Sequence, residues 1–217
     1  VTSYPSNATN TIGLNKYVEG REIGEIWGLQ TIGIAKSEEE MQAHLSSLPK
    51  GGQEAIGSKW SAGDIMYRDL NGDGKISKGA STLDDHGDLK VIGNSTPRYF
   101  FGIDLNADWK GFDVRFFFQG VMKRDYWGKD NFCGYLFGVR GDKDIWHARG
   151  LVEHQNYFRA QAIGIDGHEL PANLDAYYPR PVFKEGAKNQ ETQSRYLQDA
   201  SYIRLKNFQL GYTLPAK

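Results

Sequence analysis

Along residues 99–121 apolar and polar positions alternate with a period of two. Tyr99, Phe101, Ile103, Leu105, Ala107 and Trp109 fall on one side of an extended chain, and Phe100, Gly102, Asp104, Asn106 and Asp108 on the other. After Lys110-Gly111 the alternation resumes, with Phe112, Val114, Phe116 and Phe118 opposed to Asp113, Arg115, Phe117 and Gln119. Two such runs separated by two residues predict an antiparallel hairpin, Tyr99–Trp109 with Phe112–Val121, and a tight turn at Lys110-Gly111. A third run lies at 201–215. There Ile203 and Leu205 alternate, then Phe208, Leu210, Tyr212 and Leu214 continue after a one-residue slip near Asn207, which predicts a β-bulge.

Elsewhere the pattern is weaker. "GREIGEIWGLQTIGI" reads as extended chain interrupted by glycines. Ser37 followed three residues later by Glu40, with Pro49 beyond, predicts a short capped helix. From Met122 to Ala200 glycines, aromatics and charges mix without a sustained period, apart from hints of helix near "DIWHARGLVEHQ". So long an irregular tract is either a functional loop or a sign that the pattern misses elements within it.

Composition narrows the class. Lys and Arg total 26 against 27 Asp and Glu, so nothing draws the chain to nucleic acid or anionic surfaces in general. A single cysteine, Cys133, forbids an internal disulfide. Aromatic residues at 13% and 26 glycines favour strands and turns over a helical bundle. No run of about 18 apolar residues exists to form a spanning helix, yet a membrane barrel needs strands of only about 9–11 residues. "VTSYPSNATN" lacks the basic start and apolar stretch of a signal peptide.

"YRDLNGDGKIS" resembles the front half of a calcium loop. Asp69, Asn71 and Asp73 occupy alternate positions, Gly74 supplies the sharp turn, and Lys75 offers its carbonyl. Calcium takes six to eight hard oxygens, and this spacing converges several on one point. The twelfth position, where a closing carboxylate belongs, is Ala80. Asp84, Asp85 and Asp88 follow and are candidates to replace it. Catalytic patterns are missing: there is no H-E-x-x-H, no G-x-S-x-G and no phosphate-cradling glycine loop, so no enzyme is expected. Trp127, Trp146 and Tyr157 in the long tract are weak candidates for stacking on a substrate.

An amphipathic hairpin has two homes, a soluble sandwich or a barrel wall facing lipid. Tyr99 and Trp109 at the ends of one apolar face match an aromatic girdle, and the Asp, Asn, Arg and Gln of the other face suit a wet lumen. Taken together, "GDIMYRDLNGDGKIS", "VIGNSTPRYFFGIDLNADWKGFDVRFFFQG" and "ASYIRLKNFQLGYTLP" resemble three consecutive landmarks of the SusC/RagA family of TonB-dependent outer-membrane transporters. The earlier "EGREIGEIWGLQTIGIAKSEEEM" is also similar, so the likeness runs nearly end to end.

The resemblance implies an all-β fold, antiparallel strands from a barrel of about 22 strands, with long extracellular loops that contain short helices. It implies a C-terminal barrel fragment in the Gram-negative outer membrane, importing glycans or peptides with a SusD-like surface lipoprotein and energised by TonB through a region outside this chain. On that topology residues 1–98 form an extracellular region with the calcium-like loop at 69–88. Residues 99–121 are a transmembrane hairpin, 122–200 a long extracellular loop that need not pack as a domain, and 201–217 a transmembrane strand. Short turns are periplasmic, which places Lys110-Gly111 there. A secreted, calcium-stabilised β domain that binds carbohydrate is the alternative; it requires the apolar face of the hairpin to be covered.

Overall fold

The structure is a computed structural model that describes residues 12–128, 155–165, 167–182 and 186–214. In chain order its strands are β1 (Glu25–Leu29), β2 (Thr31–Ile34), β3 (Ile65–Tyr67), β4 (Leu89–Asn94), β5 (Tyr99–Trp109), β6 (Phe112–Met122), β7 (Asp125–Tyr126), β8 (Ile163–Ile165), β9 (His168–Leu170), β10 (Gln198–Asp199) and β11 (Tyr202–Tyr212). One α-helix, α1 (Glu38–Ser46), and short 3₁₀ turns at Gly186–Asn189 and Ser194–Tyr196 accompany them. Among the described residues no helix is long and apolar enough to cross a membrane, which says nothing of crossing by strands.

The long strands form one antiparallel sheet in the order β11, β6, β5. β5 and β6 pair without interruption from Tyr99↔Met122 to Trp109↔Phe112. Lys110 and Gly111 join them with φ of 48° and 84°. Positive φ at both central residues is the turn whose twist matches that of a hairpin. β11 pairs with β6 from Tyr202↔Val121 to Tyr212↔Phe112, and its register shifts between Leu205 and Asn207, leaving Lys206 as the extra residue. The hairpin and the bulge therefore stand where the alternation puts them.

The bulge decides which way half of β11 faces. Ile203 and Leu205 share a side with Gly120 and Phe118. With Lys206 absorbed, Phe208, Leu210 and Tyr212 come back to the side of Phe116, Val114 and Phe112. Deleting Lys206 is expected to give a regular ladder with every face preserved, whereas deleting Gln209 turns Leu210 and Tyr212 to the polar side. Protease resistance of the sheet is the check: near-normal for the first variant and lost for the second.

The remaining elements build a cap around one apolar core. β1 pairs with β4, and β2 with β3, each through a register shift. α1 starts at Ser37, whose Oγ accepts from the Glu40 amide at 3.2 Å, and Glu40 reaches back to the Lys36 amide at 2.7 Å. That is the capping arrangement the sequence predicts, shifted by one donor. Leu29, Met41, Ile65, Tyr67, Ile76 and Tyr196 are fully buried. β3 is bordered by side chains on the side away from β2. Gln53 donates to the Ile65 carbonyl and accepts from the Tyr67 amide, while Asn189 accepts from the Ile65 amide.

The long tract behaves differently from the expectation that it need not pack. Phe158, Ala176, Tyr178 and Tyr196 belong to the same core as Leu29, Met41 and Ile65. Irregular backbone is held there by long cations that donate to carbonyls. Arg159 caps Gln155 and Pro171, Arg195 caps Ala176 and Tyr177, and Lys188 caps Ser58 and Lys59. Such side-chain brackets satisfy buried carbonyls without a repeating pattern. The possible helix near 144–155 falls almost wholly outside the described residues.

Candidate membrane face and calcium half-loop

The three-stranded sheet has two unlike faces. On one, Phe101, Ile103, Leu105, Ala107 and Trp109 of β5 stand opposite Gly120, Phe118, Phe116, Val114 and Phe112 of β6, flanked by Ile203, Leu205, Phe208, Leu210 and Tyr212 of β11. All fifteen positions are apolar or aromatic, and none carries a formal charge. Among the described residues no other element covers this face, and its side chains shield only one another: Leu105 is 53% exposed, Phe208 55%, Ile203 60% and Leu210 68%. Aromatic rings tie the face together, Phe116 lying 5.1 Å from Phe208 and Phe112 4.5 Å from Tyr212. The ring of Phe101 lies over Gly120, where a Cβ would come within 2.3 Å of it.

Across from it lies a polar face. Asp104, Asn106 and Asp108 of β5 share it with Gln119, Arg115 and Asp113 of β6 and with Arg204, Asn207 and Gln209 of β11. Asp104 and Arg115 form a two-pronged ion pair, with Arg115 Nε donating to Asp104 Oδ1 at 2.9 Å. Phe100, Phe117 and Tyr202 interrupt the polarity. Each long strand has 11 residues. At about 3.4 Å per residue and a tilt of about 45°, that length rises roughly 25 Å, the height of the apolar band of a membrane barrel.

The half-loop folds around its own side chains. Asp69 accepts from the amides of Gly72 at 2.6 Å and Gly74 at 2.8 Å, Asn71 from Asp73 at 2.9 Å, and Asp73 from Lys75 at 3.1 Å. Asp88, wholly buried, reaches in from beyond the loop and accepts from the amides of Leu70 at 2.7 Å and Ser77 at 2.8 Å. Burial pushes its carboxyl above the usual range, and the nearby charge of Asp69 adds to that. The amides of Ser77, Leu70 and Asn71 oppose it. Asp84 and Asp85 serve a second turn, Asp84 accepting from Thr82 Oγ1 at 2.7 Å and Asp85 from the Ala80 amide at 2.9 Å. Of the candidates to close the loop, Asp88 is thus the one that spans it. No cluster of three or more His, Cys, Asp or Glu stands in a ligating arrangement among the described residues. Each carboxylate oxygen bonded to an amide keeps a second lone pair.

The candidate stacking residues are engaged within the cap. Trp127 and Tyr157 are half-buried and pack against the core, and Arg159 lies 4.7 Å from the centre of the Tyr157 ring. Trp146 lies outside the described residues.

One buried constellation has no local signature in the sequence. Asp64 is wholly buried and accepts from Arg180 Nε at 3.0 Å and Nη2 at 2.9 Å, Lys188 Nζ at 2.7 Å, Asn189 Nδ2 at 3.0 Å and the Ser61 amide at 3.0 Å. Lys188 is also buried and sits 4.8 Å from the centre of the Trp60 ring. Burial alone would raise the Asp64 carboxyl, but the donors from Arg180, Lys188 and Asn189 outweigh it and hold it below the usual range. The three side-chain partners, Arg180, Lys188 and Asn189, stand more than 110 residues from Asp64 in sequence.

No family model matches the chain. Among curated proteins it is similar to three from Formosa agariphila, each named a TonB-dependent receptor. It is 26% identical to TonB-dependent receptor P3 over 91% of this chain, 24% to P26 over 94%, and 27% to P39 over 70%. The chain spans only 16%, 17% and 12% of their respective lengths.

Proposed function

We propose that the chain supplies three wall strands and surface loops of a TonB-dependent outer-membrane transporter. The observation that carries this is the fully apolar, uncovered face of β5, β6 and β11 backed by a polar face, on strands long enough to cross a bilayer. In this reading the apolar face meets lipid, the polar face meets an aqueous lumen, and the cap lies outside the cell. The names of the three relatives support the transporter class. The SusC/RagA subtype, a SusD-like lipoprotein partner and a glycan or peptide cargo rest on the ordered motifs of the sequence. Energy supplied through TonB belongs to the same proposal.

The test is a comparison of charges on the two faces. An arginine on the apolar face is expected to block stable insertion into bilayers, and a neutral amide on the polar face is not. Recovery of the unmutated protein from cells in the aqueous fraction, folded and without detergent, would refute the reading. It would favour the secreted β domain instead.

Calcium at the half-loop is a second part of the proposal. Asp69, Asn71 and Asp73, with the Lys75 carbonyl and Asp88, are the oxygens that would hold it, as a clip that orders a surface loop. Support comes from the bond between Asp69 and the amide of Gly74 across the turn, and from Asp88 joining both ends of the loop. With the ion bound, residues 67–89 are expected to resist protease, and chelator or Asp73→Ala should remove that resistance while the long strands stay intact. Equal cleavage of the unmutated protein with and without chelator would remove the metal from the picture.

A further inference from the structure

The turn end of the hairpin combines a cation, an aromatic belt and a fixed backbone. Lys110 Nζ lies 4.9 Å from the centre of the Trp109 ring, on a corner where Trp109 is 69% exposed. Tyr212 packs on Phe112 beside it. The turn is pinned to β11 by the Thr213 amide, which donates to the Gly111 carbonyl at 2.7 Å. Asp108 and Asp113, the nearest carboxylates in sequence, belong to the opposite, polar face. On the apolar side, then, the described residues of the turn carry one formal charge, and it is positive.

We propose that this corner is a seat for the phosphate of a glycerophospholipid headgroup. The inference rests on the membrane reading of the sheet and adds the identity of what meets its edge. An ammonium with three donors complements a phosphodiester, and the indole and phenol rings occupy the depth where headgroup meets chain. The seat is continuous with the apolar band, so a lipid whose acyl chains lie on Leu210 and Val114 brings its phosphate to Lys110. Because short turns face the periplasm, the lipid belongs to the periplasmic leaflet. A seat at this end fixes how deep the sheet rides in the bilayer.

The test uses the whole chain carrying fluorotryptophan in maltoside micelles, with the Trp109 fluorine resonance identified by Trp109→Phe. Dimyristoyl phosphatidylglycerol, a galactosyl diacylglycerol lacking phosphate, and inorganic phosphate are titrated separately. The phospholipid is expected to move the Trp109 resonance saturably, and the galactolipid and free phosphate are not. Lys110→Asn suits the positive φ of the turn and so keeps the hairpin. It should weaken the phospholipid response roughly fivefold, the effect of one lysine near an anionic surface, while Lys110→Arg retains it. An equal response to galactolipid, a response to inorganic phosphate alone, or an unchanged response in Lys110→Asn would overturn the seat. A chain that stays folded and monomeric without detergent overturns the membrane reading itself, and the seat with it.

Discussion

Replacing Asp64 with alanine is expected to detach the 186–196 segment from the cap, at a cost of about 3–5 kcal/mol. The carboxylate is the common acceptor for Arg180, Lys188 and Asn189, and its removal leaves the buried Lys188 ammonium with two carbonyls and the Trp60 ring but without its carboxylate counter-charge. Hydrogen exchange should rise together in 57–67 and 186–196 and stay unchanged in β5 and β6. Adding Lys188→Met is expected to recover part of the loss, because an uncompensated buried charge costs more than an apolar replacement. Acid should mimic the mutation. The native pKa of Asp64 lies below its ordinary value, about 3.9 in an unfolded chain. Its contribution is therefore whole above about pH 4 and fades as the pH falls through the lower native value. Detachment of 186–196 at pH 6 would contradict the sign of that shift.

Leu105→Arg is expected to have the second large effect. Leu105 lies in the middle row of the apolar face, opposite Phe116, which in turn stands opposite Phe208. A guanidinium at that depth costs about 2–4 kcal/mol. The variant should fail to reach the protease-resistant, membrane-embedded state, whereas Asp104→Asn, one residue away on the polar face, should assemble normally. If both variants insert equally, the face does not meet lipid.

Much of the sheet could be read from the chain because a strand repeats every two residues. That short period made the hairpin, its turn and even the slip near Asn207 visible, and the structure assigns the extra residue to Lys206. α1 was visible for a related reason, since Ser37 and Glu40 satisfy amides within one turn of themselves. The cap was not legible. Asp64 and Lys188 are separated by 124 residues, and neither has a neighbour that announces the other. Gln53 acts as a partner for β3 through its side chain, and a glutamine in a glycine-rich loop gives no sign of that. The half-loop lies between these cases. The spacing of Asp69, Asn71 and Asp73 marked a turn built on side-chain oxygens, but only the fold separates Asp88, which bridges it, from Asp84 and Asp85, which do not.

The shared core of the cap also sets an order of events. β5 and β6 meet across a two-residue turn, so their pairing asks for almost no loop closure and can form as soon as both are made. The Asp64 and Lys188 contact must wait for a segment 124 residues downstream, just ahead of β11. Until that segment arrives, the Tyr67 hydroxyl lacks its Lys188 and Gln193 partners and Asp64 lacks Lys188 and Asn189. Chain synthesis therefore passes through a stage in which the hairpin is complete and the cap is open. At that stage the open cap, and not the finished hairpin, is the part of the chain most exposed to proteases.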